Sequence, residues 1–281
     1  MWHREDAGAV THLLNPEAVV KDGRWNTPYT FNSGETQYHE LAQLRLWVTM
    51  LDSEWQIRVD RSGDEPDRLR WSETVNYVLP GTEVTLQRFM RPEDKSTVVY
   101  LPVMAKLPTV IRPYQPLTIL AGGECTIYVG TVVWMRICVG PQRQELVDLP
   151  LSEPSLTWVG PSTMEGDLCY TAPSYARLLL DAVPRRPWRA VTPVRIRNRR
   201  DEPLLVERFS LPTRLLSLHE NEHGELWTPR VTVTCETEMN SARLKIDKNL
   251  IELAGNCTLI APARDYSERV YLHRAIDRMF G

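Results

Sequence analysis

The chain has 281 residues, 42% hydrophobic and 25% charged, with a net charge of −3. That balance suits a packed core and excludes a disordered chain, which would be more polar and poorer in aromatics than one with nine Trp and ten Tyr. It also excludes a molecule built as a whole to coat nucleic acid, which needs a clear excess of base.

The length fits one large or two ordinary domains. The opening residues Met1-Trp2-His3-Arg4-Glu5-Asp6 lack the apolar segment of a signal peptide. The longest uncharged run in the middle, residues 125–135, is far below the ~18 residues of a membrane span. The five cysteines are an odd count without paired spacing, and Cys125, Cys138 and Cys235 sit in apolar strand-like runs. A reduced Cys there behaves as a small buried hydrophobe, so the expected location is the cytoplasm.

Residues 1–36 hold Pro16, Gly23, Pro28 and Gly34 and little periodicity. They read as an irregular lead-in with one short helix near residues 17–20. From Leu41 the pattern is strand-like. Leu44, Leu46 and Val48 alternate with Arg45, Trp47 and Thr49, and Trp55, Ile57 and Val59 follow the same period. Further runs lie at 84–89, 97–103 and 117–120. Residues 125–129 and 132–139 read as two apolar strands joined at Gly130. The polar, Pro-bounded stretch 140–154 is the expected domain boundary. Beyond it, residues 194–197, 204–211 and 231–235 resume the alternation. Period-2 patterning with short turns predicts an all-β protein of two antiparallel β-sandwich-like domains, 1–150 and 151–281. One segment departs from it. Leu272, Ala275, Ile276, Met279 and Phe280 fall at helical spacing, and Asp265 with Glu268 resembles a capping box. This predicts a C-terminal helix over 266–280, docked on the second domain or offered to a partner or to a second copy of the chain.

Three stretches carry candidate chemistry. His219-Glu220-Asn221-Glu222-His223 matches the zinc-protease pattern, in which two His one helical turn apart bind metal and the Glu acts as base. Gly224 follows at once and strand-like residues flank it, so it reads as a polar hairpin loop with no metal. Residues 158–167 hold Gly160, Ser162, Glu165, Gly166 and Asp167. They lack the Gly-Lys-Ser/Thr of a phosphate loop and the spacing of a nucleophile elbow. They read as a turn whose glycines take positive φ. Residues 185–200 contain seven arginines, Arg185, Arg186, Arg189, Arg195, Arg197, Arg199 and Arg200, with Trp188 and no acid. Arginine's planar fork suits phosphate or carboxylate, and an exposed Trp can stack on a base or meet a lipid interface. A solvated strand face paired with neighbouring acids is the plainer reading.

Residues 160–170, with Gly166-Asp167-Leu168-Cys169-Tyr170, resemble the central motif of an uncharacterised prokaryotic family, domain of unknown function 432. The stretch 113–139, with Pro116, Ile127-Tyr128-Val129 and 134–139, is similar to the strand pair before that motif. Residues 194–198 followed by 204–211 resemble its later strand–turn–strand. The resemblance covers roughly 97–240. It implies no reaction. It implies an accessory role at a membrane protein such as a mechanosensitive channel, near whose genes members are encoded.

Together these features predict a non-enzymatic cytoplasmic binding or regulatory protein that works through protein–protein contacts, with no cofactor, no metal and no catalytic residue. Two alternatives stand beside it. One is an anion-binding module using Arg185 to Arg200 and Trp188 on phospholipid, nucleic acid or sugar phosphate. The other is a hydrolase at His219 and His223 or at Glu165 and Asp167.

Overall fold

The computed structural model describes residues 19–61, 72–75, 79–81, 83–91, 95–160, 162–236, 241–265 and 271–275. The regular structure of the described residues is almost wholly β. A six-stranded antiparallel sheet runs Val19–Asp22, Ser72–Val75, Thr36–Leu41, Leu44–Met50, Glu54–Arg61, Thr85–Met90. Its middle strand, Leu44–Met50, is buried on both faces. Leu44, Leu46 and Val48 enter the main core, while Trp47 meets the Tyr38 ring at 5.0 Å and Thr49 bonds Thr36 through their hydroxyls at 2.8 Å. A four-stranded sheet follows in the order Gln144–Pro150, Trp134–Val139, Thr97–Val103, Pro28–Thr30. Another four-stranded sheet has the order Ser155–Val159, Asp167–Thr171, Thr109–Ile111, Phe209–Leu211, and includes one parallel pair.

The largest sheet is organised by Arg189–Asn198. One edge of this strand pairs antiparallel with Glu124–Val132 along nine residues. Its other edge is divided. Ala190 and Val191 pair parallel with Leu226–Trp227, and residues 194–198 pair parallel with Val231–Cys235. The division falls at Thr228-Pro229, where proline offers no N–H to the ladder. There the Thr228 hydroxyl donates to Thr192 at 2.8 Å instead. One arm continues through Leu218–Asn221 to Cys257–Ala261, the other through Ser241–Ile246 to Tyr271–Ala275. The main apolar core draws on Trp25, Leu46, Ile137, Leu151, Trp188, Ile196 and Ile260.

The all-β expectation holds, with several sheets that are mainly antiparallel. The C-terminal helix does not. Residues 271–275 form a strand antiparallel to Ser241–Ile246, with Leu272 opposite Leu244. The backbone groups along that neighbour take up a five-residue segment whose apolar spacing looked helical, so long-range pairing overrides local pattern. The rest of the expected helix, 266–270 and 276–280, lies outside the described residues. The short lead-in helix is likewise replaced where it can be compared. Val19 and Val20 belong to the strand Val19–Asp22, and residues 17–18 lie outside the described residues.

Gly130 is not a joint. It lies inside Glu124–Val132, where a Cβ would stand 3.1 Å from Val183 Cγ1, so glycine admits a close neighbour. The chain passes to the next sheet at Val133, whose N–H donates to the Trp188 carbonyl at 3.1 Å. The stretch 140–154 carries the strand Gln144–Pro150, and Leu149 and Leu151 enter the same core as Ile127 and Val194.

Candidate functional site

The hairpin of Ser155–Val159 and Asp167–Thr171 shows two contrasting faces. Trp158 lies opposite Leu168 and Leu156 opposite Tyr170. Alternate residues of a strand point to opposite faces, so Val159 and Cys169 turn inward and form a small apolar cluster with Val110. The other face carries Leu156, Trp158 and Leu168, which remain 61%, 45% and 45% exposed. Tyr170 extends this face by stacking on Trp134 at 5.6 Å, and the Lys106 ammonium lies over the Trp134 ring at 5.7 Å.

The tip of the hairpin is tightly built. Trp158 Nε1 donates to the Ser162 carbonyl at 2.8 Å, and Ser162 Oγ accepts the N–H groups of Met164 and Glu165 at 3.2 and 3.0 Å. A Cβ on Gly160 would fall 2.1 Å from the Glu165 carbonyl oxygen, and one on Gly166 2.6 Å from both Trp158 Nε1 and the Val159 carbonyl oxygen. The two glycines are therefore required by close approach, not by the positive φ that the sequence suggests, and neither takes one. The result holds Met164 at the apex, 89% exposed.

Ser155–Val159 is also the last strand of its sheet, and among the described residues no strand pairs with its outer edge. Its sequence, Ser-Leu-Thr-Trp-Val, has no charge and no proline. Proteins ordinarily blunt exposed edges with charges, prolines or very short strands.

The arginines of 185–200 do not form one surface. Arg185 and Arg186 stand before the strand, and Arg185 pairs with Glu225 at 2.8 Å. Trp188 is fully buried in the core, so it offers no face for stacking. Arg189 is buried too, with Nη1 donating to the carbonyls of Pro173 at 3.0 Å and Gly130 at 3.4 Å and the guanidinium over Tyr175 at 4.5 Å. Arg195 and Arg197 flank one carboxylate, Glu124, at 3.9 and 2.9 Å. Arg199 and Arg200 lie at the far turn, where Arg200 reaches Glu202 at 3.4 Å. That turn is pinned by buried Asn198, whose Nδ2 donates to the carbonyls of Ile119, Leu120 and Glu202. Sequence density thus spread over four separate environments.

His219 and Glu220 lie in the strand Leu218–Asn221, and residues 222–225 turn the chain into Leu226–Trp227, a hairpin and not a helix. His219 Nε2 lies 3.1 Å from Ser217 Oγ, and burial lowers its pKa. His223 is exposed on the turn. Among the described residues no group of three His, Cys, Asp or Glu is arranged to hold a metal ion. Glu165 is exposed on the tip and Asp167 begins the return strand. All five cysteines are free thiols, and burial pushes Cys138 and Cys235 up to about 11. No helix among the described residues is long and apolar enough to cross a membrane.

The signal for the hairpin face was present in the alternation of Leu156 with Trp158 and Leu168 with Tyr170, but the glycine-rich tip between them draws the eye to loop chemistry. Among known proteins, the family model described as "Protein of unknown function (DUF432)" matches residues 25–280. No curated protein and no solved structure matches.

Proposed function

The chain belongs to the DUF432 family, and from that premise we propose that it is a non-enzymatic binding protein whose partner is another protein, docked on the outer face and open edge of the hairpin 155–171. The carrying observation is the uncharged edge strand Ser155–Val159 with Leu156, Trp158 and the neighbouring Leu168 exposed side by side. An open edge lets an extended segment add a strand through main-chain hydrogen bonds, and alternate side chains then select the sequence. Trp is the residue type most enriched among energetically dominant interface positions. The partner's chemistry follows: an extended apolar segment, uncharged where it meets residues 155–159. A membrane protein such as a mechanosensitive channel, the partner that the family resemblance implies, is the first to try.

The test pairs capture with direct binding. Wild-type protein and a Leu156→Glu, Leu168→Glu double variant are used to capture partners from native cells, and the captured protein is purified and titrated against both. Expected is a stoichiometric complex with the wild type that the folded variant does not form. Equal binding by both forms would refute the proposal.

A further inference from the structure

A cavity of about 760 Å³ opens between three segments far apart in the chain, residues 23–25, 185–191 and 220–226. Trp25 Nε1 donates to the Pro187 carbonyl at 2.7 Å and joins the first segment to the second. Arg185 joins the second to the third by its ion pair with Glu225, and its guanidinium lies 5.3 Å from the Trp227 ring centroid. Glu225 is further occupied by Asn221 Nδ2 at 2.9 Å and Trp227 Nε1 at 3.3 Å. Glu222 accepts from Asn256 Nδ2 at 3.2 Å. Arg189 serves the carbonyls of Gly130 and Pro173.

Arg186 donates Nη1 to the Arg185 carbonyl at 3.2 Å, and two charges of opposite sign remain on the cavity wall without a side-chain hydrogen bond or ion pair among the described residues. The exposed Arg24 bonds Tyr29 only through its backbone, and its guanidinium has no acid among the described residues. The carboxylate of Glu220, only partly exposed, has neither a hydrogen-bond donor nor a base among them; the residue is engaged only through its backbone, in the strand pairing and by the Thr258 hydroxyl at 3.5 Å. Both residues line the same cavity, yet no ion pair joins them. Partial burial of a carboxylate without a partner is unfavourable, and it accordingly raises the Glu220 pKa. A ligand carrying a cation at one end and an anion at the other would satisfy both groups at once.

We propose that this cavity binds a small zwitterion, with its ammonium group on Glu220 and its anionic group on Arg24. Free amino acids and aminoalkyl phosphates such as phosphoethanolamine share this chemistry. The site is independent of the hairpin face.

The experiment is calorimetric titration of the whole chain with glycine, γ-aminobutyrate, ε-aminocaproate and phosphoethanolamine. Butylammonium and butyrate serve as single-charge controls. At least one zwitterion should bind about tenfold or more tighter than either control, since charge-assisted hydrogen bonds at both ends add. Preference within the amino acid series gives the spacing of the two charges, and preference for phosphoethanolamine assigns the anion as phosphate. Arg24→Gln and Glu220→Gln should each weaken that ligand about tenfold. Glu220→Gln should melt no lower than wild type, because it removes an unpartnered charge. The proposal is overturned if no zwitterion exceeds the controls, if either variant binds as wild type does, or if Glu220→Gln melts clearly lower, which would tie Glu220 into the fold.

Discussion

Two consecutive strands, Gln144–Pro150 and Ser155–Val159, each end a four-stranded sheet, and they meet their surroundings in opposite ways. The first carries Glu145, Asp148 and a terminal Pro150. Arg136 pairs with Glu145 and grips Asp148 through Nε at 2.8 Å, and Arg264 reaches Asp148 at 2.5 Å while donating Nε to the Met104 carbonyl at 2.6 Å. Lys106 adds a longer contact to Asp148 at 3.9 Å. The second strand has none of these devices. Four residues apart in sequence, one edge is closed by charge and the other left open with apolar side chains around it. The difference lies within one molecule, where composition and stability are shared and cannot account for it, and it is what supports the proposed docking surface.

The closed edge is where substitution should cost most. Asp148→Asn takes a buried carboxylate from two largely buried guanidinium groups, Arg136 keeping only the more exposed Glu145, and should destabilise the protein by about 3–5 kcal/mol in denaturant unfolding. The same group sets a pH dependence. Burial pushes the Asp148 carboxyl up, but the hydrogen bonds and charges of Arg136 and Arg264 outweigh that and hold it below the usual value of 3.8. Its contribution is therefore complete above the unfolded value and is lost as pH falls through the lower folded one. Wild type should show this acid limb in melting temperature, and Asp148→Asn should lack it. A stable variant with an unchanged acid limb would remove the contrast between the edges.

At the open edge the expected costs are smaller and more informative. Gly166→Ala forces a methyl against the Val159 carbonyl and the Trp158 indole and should cost about 1–3 kcal/mol. It should also red-shift the emission of Trp158, as the tip gives way and its indole loses the Ser162 carbonyl to water. Leu168→Glu should change stability by no more than about 0.5 kcal/mol, as for an exposed site, while abolishing complex formation. A large loss of stability there would mean that the face is part of the fold and not a docking surface. Small as well, Arg197→Ala removes one arm of an exposed pair with Glu124 and should cost less than about 1 kcal/mol in the same unfolding measurement.

What the sequence discloses follows the range of the interactions. Leu44, Leu46 and Val48 announce their strand because alternation is local. The strand Tyr271–Ala275 is invisible because its partner, Ser241–Ile246, lies about thirty residues away and nothing nearby demands extension. The arginine-rich stretch misleads for a related reason. One-dimensional density does not distinguish Arg195, beside Glu124, from Arg189, buried on two carbonyls, nor place Trp188 in the core. The cavity is less legible still, since its walls include Trp25 and Pro187, 162 positions apart. The open edge sits between these cases. Its alternation was readable, but its freedom from a neighbour among the described residues is a property of the sheet alone.

The most direct test places a photo-reactive phenylalanine analogue at Leu156 on the open edge or at exposed Gln144 on the closed one, in the full-length protein in its native cells. Illumination should yield a discrete cross-linked partner from position 156 and none from position 144. Cross-linking of the same partner from both positions, or from position 144 alone, would contradict the assignment of the hairpin edge as the binding surface.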